Sequence, residues 1–345
     1  MIRFNNDYNR GAMECVMNAL TQSSPVSYAG YGEDTLCREA VDKIRALCAA
    51  PEAAVHFLPG ATQTNFTVIS AALSSVQSVI SADTGHINCH EAASIENTGH
   101  KILELPNTDG KISAEQVRAC AEAYYLGGEP EYLTEPKMVY ISFPTEQGTI
   151  YSLAEISEIS SICRQYGMYL FVDGARLPYG LCADGSDITF PELARYADAF
   201  YLGGTKCGAL FGEALVITSN DLKRRFKAHM KQNGAVLAKG WLLGLQFSAM
   251  LENGEYFSAA KRANEFAVRI REAFENRGVE LWVKSPTNQQ FVIVNRAQKE
   301  FLAQDFIFEE VCEVQNGTVI RFCTSWATGE SEIDTLTAKI AEMPV

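Results

Sequence analysis

Seven short runs rich in β-branched and aromatic residues, separated by turn signals and mostly by helically spaced segments, occupy residues 55 to 218. They are Val55–Leu58, Ser78–Ala82, Lys101–Leu105, Met138–Phe143, Met168–Val172, Ala199–Leu202 and Glu213–Thr218. Each stops at a Gly, Pro, Asp or Asn signal, which favours strand ends and turns. Thr62–Leu73, Ala114–Tyr125, Leu153–Tyr166 and Asp221–Gln232 carry apolar residues at helical spacing. Strands alternating with helices imply crossovers, and crossovers cover a sheet on both faces. The predicted class is α/β, with a large domain built on a mostly parallel seven-stranded sheet. Its ligands should lie beyond the carboxyl ends of the strands.

From Trp241 the pattern changes. A long apolar helix (WLLGLQFSAML) and a second from Tyr256 to Asn276 precede short strands near Leu281, Phe291 and Val319 and a closing helix from Ser331 to Met343. Helices followed by segregated strands predict a smaller α+β domain. The expected division is an N-terminal segment, 1–25, a large domain, 26–245, and a small C-terminal domain, 246–345. A chain of 345 residues exceeds the roughly 250 to 300 at which one core stops growing, which fits two units.

Charge and cysteine usage exclude other classes. The net charge of -13 disfavours a nucleic-acid backbone, whose non-specific binding rests on Lys and Arg releasing counterions. A small anion is still admissible, because a local pocket of amides and cations can oppose the global field. The ten cysteines form no Cys-x-x-Cys pair, and the opening MIRFNNDYNR does not read as a secretory leader, so reduced thiols in the cytoplasm are expected. His86 and His90 stand four apart but lack a third ligand, so no metal is expected. No run of about 18 apolar residues could cross a bilayer.

Three motifs carry candidate chemistry. In FLPGATQTN, Phe57–Asn65, a strand ends at Pro59-Gly60 and a helix starts at Ala61 and Thr62. Open first-turn amides and the helix dipole can make a phosphate cradle there, although these residues alone favour a plain turn with a Thr cap. In YLFVDGARL, Tyr169–Leu177, a buried strand delivers Asp173, whose carboxylate needs a partner. That partner is either Arg176 or a protonated pyridine nitrogen. In AFYLGGTKCGALFG, Ala199–Gly212, a strand runs into Gly203-Gly204, then Thr205 and Lys206. Glycines there admit a bulky ligand, and a desolvated Lys206 would hold the neutral amine that Schiff-base chemistry needs. A lysine reaching solvent is the alternative, but the next basic residue is Lys223 and no basic face surrounds it.

Taken together, the order of cradle, strand-end Asp and Lys resembles the fold-type I pyridoxal phosphate enzymes, and among them the low-specificity L-threonine aldolases. The resemblance runs through FNND (Phe4–Asp7), YGED (Tyr31–Asp34), GHINCHEA (Gly85–Ala92), TEQGTIY (Thr145–Tyr151), DGAR (Asp173–Arg176), GGTK (Gly203–Lys206) and IRFCTSW (Ile320–Trp326). It implies that Lys206 binds the cofactor aldehyde, Asp173 pairs with the pyridinium nitrogen, and Gly60, Ala61 and Thr62 hold the phosphate, with Arg176 and Thr205 also against the cofactor. His86 would stack on the ring and move protons. Asn6, Tyr31, Arg176 and Arg321 would line the substrate pocket, Asn6 and Asp7 standing where the family has Ser-Asp. The implied reaction is cleavage of threonine, allo-threonine or a related β-hydroxy-α-amino acid to glycine and an aldehyde. The implied assembly is a homodimer-based oligomer, a tetramer, with sites at its interface. Some members carry a histidine in the segment that here reads FPTEQG, so Thr145, Glu146, or His86 with water has to supply the base. Lys239 stands near the family's Met-Arg.

Overall fold

The computed structural model describes residues 1–344. All seven expected strands form: β1 (Ala54–Leu58), β2 (Gln77–Ala82), β3 (Lys101–Leu105), β4 (Glu135–Ser142), β5 (Tyr169–Asp173), β6 (Ala199–Gly203) and β7 (Glu213–Ile217). They join one sheet in the order β1-β7-β6-β5-β4-β2-β3. Neighbours from β6 to β3 are parallel, whereas β7 runs antiparallel to both β6 and β1. The reason is length. Residues 204–212 between β6 and β7 are too few for a crossover, which needs about a dozen or more, so the chain must turn straight back.

Alternation along the strands supplies both faces with core. Val139, Ile141 and Val172 pack with Val117, Ile156 and Ile159 of the helices on one side. Tyr140, Phe171 and Leu215 pack with Val68 and Ile69 on the other. Helices Ala61–Ala72, Ala114–Tyr125 and Leu153–Gln165 form close to their expected limits, the last two behind capping boxes at Ser113/Gln116 and Ser152/Glu155. The helix expected over Asp221–Gln232 is instead two pieces, Asn220–Lys223 and Phe226–Gln232, because Arg225 between them adopts a left-handed φ of 60°.

The small domain is a four-stranded antiparallel sheet of Leu281–Val283, Gln289–Val294, Glu309–Val314 and Gly317–Cys323 under helices Glu255–Asn276 and Glu330–Ala341. A boundary at residue 246 is not what the packing supports. Gln246 lies mid-way along helix Trp241–Glu252, whose Phe247 and Met250 belong to the large core. In the next helix Ala259, Ala260 and Ala263 face that same core, whereas Phe266, Ile270 and Phe274 enter the small one. We place the division between Ala263 and Phe266. The N-terminal segment is also split. Ile2–Arg3 pairs with Phe306–Ile307 and Phe4 is buried in the small core, while Met13 and Val16 join the large one.

Candidate active site

Beyond the carboxyl ends of β4, β5 and β6 lies a narrow cleft open to solvent, walled by Ala61, His86, Glu146, Asp173, Arg176 and Lys206 among others. Asp173 closes β5, and both of its oxygens are engaged. Oδ1 accepts from the Ala175 amide at 2.9 Å, and Oδ2 accepts from the Tyr140 hydroxyl at 2.5 Å and Asn65 Nδ2 at 3.1 Å. Burial raises its pKa, yet the His86 charge and the Tyr140 hydrogen bond outweigh it and leave the carboxyl below its ordinary value. Asp173 is therefore an anion facing the cavity. The Asp173–Arg176 ion pair left open by the sequence does not form.

Arg176 turns instead to Asp7, with Nε donating to Oδ2 at 2.7 Å and Nη2 to Oδ1 at 3.0 Å. Asn288 Nδ2 donates to the same carboxylate at 3.0 Å. Burial opposes the Asp7 charge, but Arg176 and then Lys206 prevail, and its pKa falls to about 2. A carboxyl depressed in this way stabilises the fold above its unfolded value of 3.8 and loses that contribution as pH falls through about 2. Asp7→Asn is expected to destabilise the protein at neutral pH by about 3–5 kcal/mol, the cost of stranding a buried partner charge. The gap between the two melting curves should close as pH drops from 4 towards 2, and a gap independent of pH would contradict the pairing.

Lys206 rides on the short return between β6 and β7, and its Nζ donates to no described residue. Burial and the Arg176 charge lower its pKa from the ordinary lysine value, against the pull of Asp7, Asp173 and Glu213. Two glycines at the strand ends serve the packing of backbone on backbone. A Cβ at Gly174 would strike the Tyr201 carbonyl and one at Gly203 the Ala175 carbonyl, so these positions let the ends of β5 and β6 approach each other. Thr205 likewise faces away from the cavity. Its hydroxyl donates to Glu213 Oε1 at 2.8 Å and accepts from the Gly212 amide at 3.0 Å, which closes the turn carrying Lys206. Glu213, whose other oxygen takes the Gly204 amide at 2.9 Å, has its pKa pushed by burial up to about 8.

The helix after β1 begins without a side-chain cap. Gly60 at its N-cap is extended, and the first backbone bond is Thr64 N–H to the Gly60 carbonyl at 3.0 Å. The Ala61 and Thr62 amides therefore remain open, with Ala61 in the cavity wall. His86 opens a short helix after β2. Its Nδ1 meets Glu91 Oε1 at 2.7 Å, and buried Glu91 is held in turn by Asn65 Nδ2 and Ser94 Oγ, both at 2.7 Å. The carboxylate on Nδ1 orients the ring. Asn65 thus bridges Glu91 and Asp173.

The remaining candidates are less central. Arg321 stands outside the cavity wall, donating to Gln289 Oε1 at 3.1 Å and the Asn5 carbonyl at 3.0 Å, while its buried Nε has no partner. Asn6 uses its side chain to accept from the Tyr8 amide, and the neighbouring Asp7 is the residue that reaches the site. Tyr31 lines a separate cavity with Glu33, Lys227 and Leu243. Glu91, Asn65 and Glu213 were not singled out from sequence. The detectable signal was a Glu opening the otherwise apolar strand EALVI.

A family profile described as Beta-eliminating lyase matches residues 10–297. The low specificity L-threonine aldolase of a Pseudomonas species is 28% identical over 343 residues, covering 98% of this chain and 96% of that protein. The Pseudomonas aeruginosa protein of the same description is 26% identical over 303 residues, covering 87% and 86%. The solved structure of Leishmania major threonine aldolase superposes with a TM-score of 0.96 at 37% identity, over 99% of each chain. An aspartate aminotransferase from Thermus thermophilus superposes at 0.72 with 15% identity, over 99% of this chain and 91% of its own, a likeness of fold alone.

Proposed function

The chain belongs to the beta-eliminating lyase family and stands with the threonine aldolases within it, and from that membership we propose a pyridoxal phosphate-dependent lyase that cleaves L-threonine or L-allo-threonine, and related β-hydroxy-α-amino acids, to glycine and an aldehyde. The observation that carries this reading is the convergence of Asp173, Lys206, His86 and the open amides of Ala61 and Thr62 at the carboxyl end of the sheet.

These groups suit that cofactor. The uncapped amides would take its phosphate, the Asp173 anion its ring nitrogen, the unpartnered Lys206 amine its aldehyde, and the half-buried His86 ring its face. When bound, the cofactor supplies an electron sink that lets Cα of an amino acid lose a bond. The protein's share is positional and electrostatic. Asp173, fixed by Tyr140, Asn65 and Ala175, keeps a negative charge in place. The lowered pKa of Lys206 favours its reactive neutral form. The edge of Arg176 left by Asp7 offers donors for a substrate carboxylate.

The assembly we propose is a homodimer-based oligomer, a tetramer, in which Tyr31 serves a neighbouring subunit's site. The location is the cytoplasm, where ten free thiols are compatible with a reducing medium. No helix among the described residues is long and apolar enough to cross a membrane. An acetaldehyde assay on the four threonine stereoisomers tests the activity. Release from one or both L-isomers is expected, whereas pyruvate and ammonia from serine or cysteine without acetaldehyde would replace it with β-elimination.

A further inference from the structure

Two carboxyl groups face the Lys206 cavity, Asp173 and Glu146. They are held differently. Asp173 has both oxygens engaged, whereas Glu146 has both of its bonds on Oε1, from Ser142 Oγ at 2.6 Å and the His86 amide at 2.9 Å. Oε2 has no hydrogen-bond partner among the described residues. The backbone that carries it is fixed by a tight turn, with Thr145 N–H donating to the Thr149 carbonyl and Gly148 N–H to the Thr145 carbonyl, each at 2.9 Å. Of the two hydroxyls in the wall, Ser142 is spent on Glu146 Oε1, and buried Thr145 is shared with Thr149 Oγ1 at 2.7 Å. Glu146 is the carboxyl in this wall with a free acceptor.

We propose that Glu146 is a catalytic residue for the lyase reaction inferred above, and that its Oε2 takes the proton from the substrate β-hydroxyl as the Cα–Cβ bond breaks. The step rests on that reading. The O–H electron pair becomes the second bond of the aldehyde carbonyl, and the Cα–Cβ pair departs with the glycine fragment. The proton passes from Glu146 to water, and the glycine fragment takes one back at Cα, so nothing is oxidised or reduced. Burial raises the pKa of Glu146, as does the charge of Asp173, which makes it a stronger base than an exposed carboxylate while Ser142 and His86 restrain the shift. The titratable and charged groups around it are Asp173, His86, Tyr140, Tyr151 and Cys89, with Arg176 and Lys206 in the same cavity wall.

The test is Glu146→Gln in the protein loaded with pyridoxal phosphate, because the amide oxygen can still accept from Ser142 and His86 but cannot take a proton. Three readouts are compared with wild type: threonine cleavage, exchange of the glycine Cα proton with heavy water followed by NMR, and visible absorption of the bound cofactor. Cleavage should fall about 100- to 1,000-fold in kcat with KM changed by less than about threefold. The acid limb of the kcat–pH profile should disappear, while glycine exchange and absorption persist, since neither involves a β-hydroxyl. A variant that cleaves within about threefold of wild type, or that loses exchange as fully as cleavage, overturns the proposal. Wild-type protein that neither cleaves nor exchanges fails at the function itself and removes the basis for a β-hydroxyl base.

Discussion

Lys206→Ala should yield a folded protein that binds pyridoxal phosphate without the visible absorption band of the covalently held cofactor and with threonine cleavage reduced by roughly 10⁴-fold or more, the scale on which removal of a covalent catalyst shows. The expectation follows from the surroundings of Nζ. It sits in the cavity wall with no hydrogen bond to a described residue, and burial and Arg176 lower its pKa. A structural lysine would be paired, and its loss would appear first in the melting temperature. Here the melting temperature should hold or rise, since a desolvated amine is removed and the turn is closed by Thr205 and Glu213. Wild-type protein that stays colourless when pyridoxal phosphate is added would end the cofactor assignment.

Asp173→Asn is the second large effect, and its signature should differ. The amide preserves shape and can still accept from Ala175 or Tyr140, but the negative charge facing the ring nitrogen is gone. Activity should drop by about 100- to 10,000-fold, the range in which positioned ionisable groups contribute, with the absorption band shifted in position and no longer lost. Asp173→Glu, which restores the charge one methylene further out, should recover part of the activity. Equal rates for wild type and Asp173→Asn would show that the anion's role is to hold Tyr140 and Asn65 in place.

Much of this site was legible because its signals are local. A strand end, a Gly-Gly step and an uncapped helix start each occupy a few adjacent residues, and every expected strand formed within about three residues of its reading. What the sequence did not reveal are partnerships across distance. Asp173 and Arg176 are three apart, and a pair was one of two readings of that spacing, yet the turn between them sends Arg176 to a carboxylate 169 positions away. Asn65 lies on the helix after β1 and Glu91 in the loop after the short helix that follows β2, and they meet only when β2 and β1 take their places in the sheet, so neither carried a pattern of its own. The domain division slipped for a related reason. Apolar spacing shows that helix Trp241–Glu252 is buried, but not in which of two cores.

One stretch of backbone near the beginning of the chain handles both arginines. Arg321 of the small domain donates to the Asn5 carbonyl, and Arg176 of the large domain is clamped by Asp7. Two residues upstream of Asn5 the same strand is stitched to Ile307. The two guanidinium groups are thus moored to a single ribbon, as two boats to one line, and slack in that line would be felt at both. For anyone handling the protein, an affinity tag at this end is a perturbation of both guanidinium groups and not a neutral convenience.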